Sequence, residues 1–257
     1  MTDAWSFRPG TLDRMIFDGV VALDEYRLPE RFEPDDVVVD VGAHIGSFAY
    51  AVLLRGGKHV WSLEADRTNC AFAAEHLRPY VDQRYVRLMH AAVWRSDPND
   101  DELRFDGYQV FPQSFLDMAG VVNTGGGSVM WGGGEPVQKV AFDDVVDLVT
   151  DRGERRLRLL KLDCEGAEWP ILLTSRRLHL IDEIVGEFHE IGGSFLEIGE
   201  DRLSKAHVFH SDRVAGFTVE EFVRFLNDAG FCVTYRRHLR PNGALEGYGL
   251  FFATREQ

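Results

Sequence analysis

The chain has 257 residues, enough for one large domain or two small ones, and its 45% hydrophobic and 12% aromatic content supports a substantial core and excludes wholesale disorder. Forty-two Asp and Glu against 28 Lys and Arg give a formal charge of −14, which excludes a general nucleic-acid backbone binder and suits a small-molecule enzyme, above all one with a cationic ligand. No apolar run reaches the roughly 18–20 residues that cross a bilayer, so no membrane partner is expected, and the polar start lacks a signal-peptide core, which predicts a cytoplasmic protein.

Residues 1–36 are mixed in character, end in the charged run Glu33-Pro34-Asp35-Asp36, and read as a leader that packs over a main domain of residues 37–257. Residues 37–41 form a continuous β-branched run without period-2 polarity, the pattern of a strand covered on both faces. A helix is predicted over 47–54, closed by Gly56-Gly57, then a strand over 59–63, a helix over 68–77 that stops before Pro79, and a strand over 85–89. Further strands are predicted at 157–162 and 181–187. A helix begins at Thr218, with Glu221 completing a capping box, and strands at 231–236 and 248–253 follow. This alternation argues for an α/β fold with a mostly parallel, doubly wound sheet of seven strands and ligands at the carboxyl ends of the strands. Residues 94–156 make an insertion between the third and fourth strands that is too long for a simple crossover. It carries Asn123-Thr124-Gly125-Gly126-Gly127-Ser128 and Gly132-Gly133-Gly134, the composition of a lid or substrate loop. Cys70, Cys164 and Cys232 are an odd set with no CxxC spacing, which points to reduced thiols.

The sharpest motif is Asp40-Val41-Gly42-Ala43-His44-Ile45-Gly46, at the junction of the first strand and first helix. A phosphate loop needs Gly-Lys-Ser/Thr, and no lysine follows Gly46. A dinucleotide fingerprint needs a middle glycine to admit a pyrophosphate, and that glycine is absent. The remaining reading, D-x-G-x-x-x-G, is a nucleoside loop of the kind that binds S-adenosylmethionine; it makes Asp40, Gly42, Ala43, His44 and Gly46 candidate cofactor residues. Glu64 ends the second strand, where one carboxylate can accept both hydroxyls of a ribose. Ala91 and Ala92, after the third strand, leave room for a flat purine.

The fourth strand runs into Lys161-Leu162-Asp163-Cys164-Glu165-Gly166-Ala167-Glu168-Trp169. With this K-x-D-x-E-G-x-E segment, the chain resembles the FkbM-type methyltransferase family. The resemblance takes in residues 38–46, Glu64, the glycine segment at 123–128, Phe142-Asp143-Asp144 and Glu187-Phe188-His189-Glu190, and runs from about Tyr26 to Ala253. It implies a class I, Rossmann-like methyltransferase fold, S-adenosylmethionine as cofactor, and a small-molecule acceptor, commonly a sugar or natural-product hydroxyl. His44 and His90 stand where the family often has asparagine.

Asp163 and Glu165 lie at the carboxyl end of a central strand, the place for ligand contacts, with Asp163 a candidate for both cofactor binding and catalysis. Glu168 has a simpler reading as an acid favoured at a helix start, worth about 0.3–1 kcal/mol. Lys161 falls inside the strand and is expected to pair with an acid. His189, after the fifth strand, is the candidate general base, oriented by Glu165 or Asp163, with His207, His210 and His238 as weaker rivals. The expected chemistry is direct displacement by an acceptor oxygen. A divalent metal is not expected, although a Mg²⁺ site using Asp163 and the acids near His189 stays open, as do an amine acceptor and a non-catalytic nucleoside-binding role. Residues 196–216 are expected to help shape the acceptor pocket, and no signal specifies an oligomeric state.

Overall fold

The computed structural model describes residues 5–107, 109–110, 120–130, 133–191, 209, 211–239 and 243–255. Seven strands form one sheet: β1 (Val37–Val41), β2 (His59–Glu64), β3 (Val86–His90), β4 (Leu157–Leu162), β5 (Ile181–His189), β6 (Phe231–Leu239) and β7 (Leu245–Arg255). Their order is β6-β7-β5-β4-β1-β2-β3, and only β7 runs antiparallel to its neighbours. The order reverses between β1 and β4, so their carboxyl ends open a crevice. This is the seven-stranded, mostly parallel sheet that the family resemblance implies.

Among the described residues the α-helices are α1 (Asp13–Phe17), α2 (Ser47–Leu54), α3 (Arg67–Asp82), α4 (Phe142–Val149), α5 (Glu168–Thr174) and α6 (Val219–Asp228). Strand β1 shows why its sequence reads as a solid apolar run. Val37, Val39 and Val41 enter a core with Trp94, Phe142 and Trp169, while Val38 enters a second core with Phe48 and Val60. Both faces are covered, so both side-chain parities are apolar. The leader supplies Phe17, Val20, Tyr26, Leu28 and Phe32 to that second core, so it builds one layer of the fold.

Helix α3 continues through Pro79 to Asp82, past the predicted stop. The proline costs one N–H, but Pro79 and Glu75, whose carbonyl it would have satisfied, are both exposed, so water replaces the lost bond. The last two strands also run longer than predicted and form an antiparallel hairpin. Thr218 caps α6 by accepting from Glu221 N at 3.5 Å, whereas the Glu221 side chain accepts from Ala215 N, so the reciprocal half of the capping box is not made.

Within the insertion, residues 92–94 pair with 139–141, 104–105 with 135–136, and 109–110 with 122–123. Gly132, His207 and His210 lie outside the described residues, as does most of the segment 196–216. Among the described residues, no helix is long and apolar enough to cross a membrane.

Candidate active site

The turn after β1 and the loop after β4 meet at close range. Gly42 has φ +77°, and a Cβ there would sit 1.9 Å from the Asp163 carbonyl oxygen, so this position requires glycine. Gly46 has φ +95°, and a Cβ there would stand 2.8 Å from Leu77 Cδ1, which lets α2 and α3 pack closely. His44 and Glu165 adopt φ +51° and +54°; each is a non-glycine residue held in the left-handed region on one of the two loops that face the crevice.

Lys161, 3% exposed, ties these loops together. Its Nζ donates to Gly42 O at 2.5 Å and Val41 O at 3.3 Å, and lies 3.4 Å from Asp40 Oδ1 and 3.8 Å from Asp163 Oδ2. The pairing expected from the sequence is therefore with the acid across on β1. Asp40 is fully buried, and it takes a structural place behind the crevice instead of lining it. Gly46 likewise stands off the wall, at the helix contact.

One cavity of about 580 Å³ runs along the carboxyl ends of the strands. At one end are Gly42, Ala43, His44, Glu64, Ala91 and Ala92, all expected cofactor residues. Glu64 accepts from His44 N at 2.7 Å and from Asp66 N at 2.8 Å, and burial raises its pKa to about 7. His90 is turned to the Ala65 carbonyl at 3.1 Å and is not on the wall.

At the other end are Asp163, Glu165, Glu187 and His189, joined by Glu25 and His238. Burial raises Glu165 to about 8, helped by Asp163 and Glu187 and opposed by His189. Glu25 is raised to about 7 by burial, then by Glu187 and Asp163. His189 is almost fully enclosed: its Nδ1 lies 3.2 Å from Glu168 Oε1, and its Nε2 lies 3.6 Å from both Glu165 and Glu187. Burial alone would lower the His189 pKa, but Glu168, Glu165 and Glu187 outweigh it and push it well above the ordinary histidine value.

The acid that orients His189 is thus Glu168, in place of the expected Glu165 or Asp163. Glu168 also accepts from Cys164 N at 2.8 Å and Gly166 N at 2.9 Å, so it shapes the loop that carries Asp163 and Glu165. Asp163 instead accepts from Tyr26 OH at 2.8 Å. Ser128, from the glycine segment, donates to Glu165 O at 2.7 Å and clasps the insertion to the same loop.

Glu25, Tyr26 and Asp13 of the leader have no motif spacing to mark them, whereas Ser128 lies in the glycine segment read as a lid. Glu187 had one signal: it stands two residues before His189 on a strand, and so on the same face. Asp143 and Glu190, part of the family resemblance, serve the scaffold. Asp143 receives Ser175 Oγ at 2.6 Å, and Glu190 receives Val219 N at 2.8 Å and an Arg237 guanidinium at 2.6 Å. The three cysteines are free.

Among known proteins, the methyltransferase FkbM domain family matches residues 40–232. No curated protein matches the sequence at a significant level. Two solved structures illustrate what resembles it. A precorrin-6y C5,15-methyltransferase from Geobacter metallireducens is 13% identical, with 99% of this chain and 95% of that one covered and a TM-score of 0.43. An O-methyltransferase family protein from Burkholderia thailandensis is 11% identical, with 96% and 57% covered and a TM-score of 0.46.

Proposed function

The chain belongs to the FkbM methyltransferase family, and from that premise we propose that it moves a methyl group from S-adenosylmethionine to a hydroxyl of a small molecule, a sugar or natural product. The observation that carries the reading is the single cavity with a nucleoside-type wall at Gly42 and Glu64 and a proton-handling wall at His189 and Glu165. The residues present fit the cofactor. Each Glu64 oxygen already holds one backbone N–H and keeps acceptor capacity for a ribose hydroxyl, and the carboxylates around Asp163 suit a sulfonium.

When bound, the cofactor supplies an activated methyl group with a neutral leaving group. The protein's part is alignment and proton transfer. Alignment of reacting groups is worth roughly 7–11 kcal/mol of barrier, and a positioned base adds about 10²–10⁴-fold. His189, held by Glu168, takes the acceptor proton with Glu165 as its partner at 3.6 Å. Because the surrounding acids, Glu168 foremost, hold the imidazole pKa well above the ordinary histidine value, the ring becomes a competent base only after it loses a proton, which favours activity on the alkaline side of neutrality.

Calorimetry with S-adenosylhomocysteine tests the first step, and absence of both heat and thermal shift would remove the cofactor. Full turnover by His189→Ala would remove this residue from the chemistry.

A second reading has its own observation. Asp163, Glu187 and His189 each offer one ligand atom, and these atoms all lie within 4.8 Å of one another. Their outer contacts, Tyr26 on Asp163, His238 on Glu187 and Glu168 on His189, are of the kind that support metal ligands. A divalent cation held there would acidify the acceptor hydroxyl in place of a base. Activity lost in EDTA and restored by Mg²⁺ or Mn²⁺ favours this reading, and turnover indifferent to EDTA excludes it.

A further inference from the structure

The leader lines the cavity with one face of a helix. Leu12, Met15, Ile16, Gly19, Val20 and Leu23 all stand on the cavity wall, at the spacing of a single helical stripe. They span α1 and the π turn that continues it over Asp18–Ala22. The rest of the helix has other duties: Phe17 enters the second core, and Arg14 pairs with Asp18 at 2.8 Å in solvent.

The stripe runs from the interior out into water. Leu12 and Val20 are buried, whereas Met15 is 57% and Leu23 78% exposed. Of the large exposed hydrophobic side chains among the described residues, these two alone line this cavity. A single surface leucine needs no explanation, but an apolar stripe continuous with a cavity marks a place where apolar matter is bound.

The inner end has the opposite chemistry. Gly19 breaks the stripe with bare backbone, and a Cβ there would stand 3.0 Å from Glu25 Oε2, so the Glu25 carboxyl lies directly against the apolar face. Glu25, Asp163, Glu165 and Glu187 face the same space with His189 and His238, and no arginine lines it. Lys161 Nζ is engaged by the Gly42 carbonyl at 2.5 Å. Such a wall accepts hydrogen bonds from a hydroxyl and repels a carboxylate or phosphate. Stripe and acids share one cavity, so one occupant spans both. A bilayer or a second protein chain would cover only the outer part, and a formal charge of −14 sets the chain against an anionic membrane.

We propose that the methyl acceptor is an amphiphile, a hydroxylated head without negative charge joined to an apolar body, and that this body lies along the leader stripe and leaves the cavity past Met15 and Leu23. The proposal rests on the methyl-transfer reading above and names the acceptor class within it. Met15 and Leu23 are specificity residues that touch the acceptor far from the reacting oxygen, and the leader selects the acceptor as well as building the fold.

The test is calorimetry on the full chain saturated with S-adenosylhomocysteine. The probes are methyl, hexyl and octyl β-D-glucoside, kept below their micelle concentrations, with octanoate as the anionic counterpart. Affinity should rise by about two- to fourfold for each methylene between hexyl and octyl glucoside, and octanoate should bind at least about tenfold more weakly than octyl glucoside. Met15→Gln and Leu23→Gln should each weaken octyl glucoside by about 5- to 20-fold. Both positions are exposed, so Tm and S-adenosylhomocysteine affinity should stay at the parent's values. Leu54→Gln, at a residue 54% exposed on α2 and away from the cavity, should change nothing. With methionine methyls labelled by ¹³C, octyl glucoside should shift the Met15 resonance and leave Met89, on β3, in place. Affinity independent of chain length, octanoate bound as well as octyl glucoside, or equal losses in Leu54→Gln and Leu23→Gln would overturn the proposal. So would a parent dimer in sedimentation, or pelleting with phosphatidylcholine vesicles, that Leu23→Gln abolishes, since a second copy or a membrane would then be what covers the stripe. A parent that binds octyl glucoside through Met15 and Leu23 but ignores S-adenosylhomocysteine would bring down the methyl-transfer reading and the assignment to an acceptor, and leave an apolar binding site standing.

Discussion

Glu168 Oε1 lies 3.2 Å from His189 Nδ1, and the same carboxylate accepts backbone N–H groups from Cys164 and Gly166. One side chain thus sets both the loop that carries Asp163 and Glu165 and the ring that faces them. Replacing Glu168 by Gln keeps its size but removes the charge and turns one acceptor into a donor. The expected result is a loss of about 2–3 kcal/mol of stability by chemical denaturation. Turnover should fall by about 10²-fold or more as the imidazole loses its anchor. A purely structural role would leave the pH profile in place. Loss of the largest charge acting on His189 should instead move the acid limb of the kcat/KM profile to lower pH in the residual activity.

Glu64 predicts opposite pH responses for stability and for ligand binding. Burial raises its pKa to about 7 against the donors His44 N and Asp66 N and the charge of Lys161, with Asp66 adding to the rise. An acid whose folded pKa exceeds its unfolded value stabilises the fold below the unfolded pKa, and that contribution is lost as pH climbs through the folded pKa. Between pH 6 and pH 8 the ligand-free protein should therefore lose about 1 kcal/mol from this group, read as a falling Tm. Ribose hydroxyls call for the ionised form, so S-adenosylhomocysteine should bind about tenfold more weakly at pH 6 than at pH 8. Glu64→Gln should flatten its share of both slopes. A Tm slope identical to the parent's would show that this carboxyl does not titrate in that window.

What the sequence made legible was local. The solid apolar run of β1, the glycine turn behind it and the strand-end carboxylate Glu64 could be read because period, spacing and order along the chain carry them. The K-x-D-x-E-G-x-E segment located the second loop, yet the division of labour inside it stayed hidden. Glu168 looked like an acid suited to a helix start, and only the 21-residue return of β5 brings His189 onto it. Asp13 and Thr124 are 111 residues apart, so the contact that ties the leader to the glycine segment belongs to tertiary structure and to no motif. The same holds for Tyr26 on Asp163, 137 residues away. Asp40 and Gly46, read as cofactor contacts from the motif, stand one layer back because the turn needs a buried charge partner and a close helix approach there.

Gly42→Ala should be among the most damaging single changes. The added Cβ meets the Asp163 carbonyl oxygen at 1.9 Å, and the φ of +77° disfavours any L side chain, so both terms act at once. A loss above about 3 kcal/mol is expected, seen as a lower Tm or as insoluble protein. Gly216, with nothing within 4 Å of its Cβ position, is the control: Gly216→Ala should stay within about 0.5 kcal/mol of the parent.

Lys161 and Asp40 should prove energetically coupled. Asp40 is fully buried and its Oδ1 has no hydrogen-bond partner, so the ammonium at 3.4 Å is what offsets its charge. Burial raises the Asp40 pKa and Lys161 opposes the rise. Lys161→Met leaves that carboxyl alone in the interior and also frees the Gly42 carbonyl, so urea denaturation should report a loss of about 3–5 kcal/mol. Asp40→Asn in the same chain removes the stranded charge and should return part of that loss, with an interaction energy of about 1–3 kcal/mol in the double-mutant cycle. Simple additivity of the two substitutions would mean that the carboxyl is already neutral in the folded protein, and Lys161 would then matter only for joining the ends of β1 and β4.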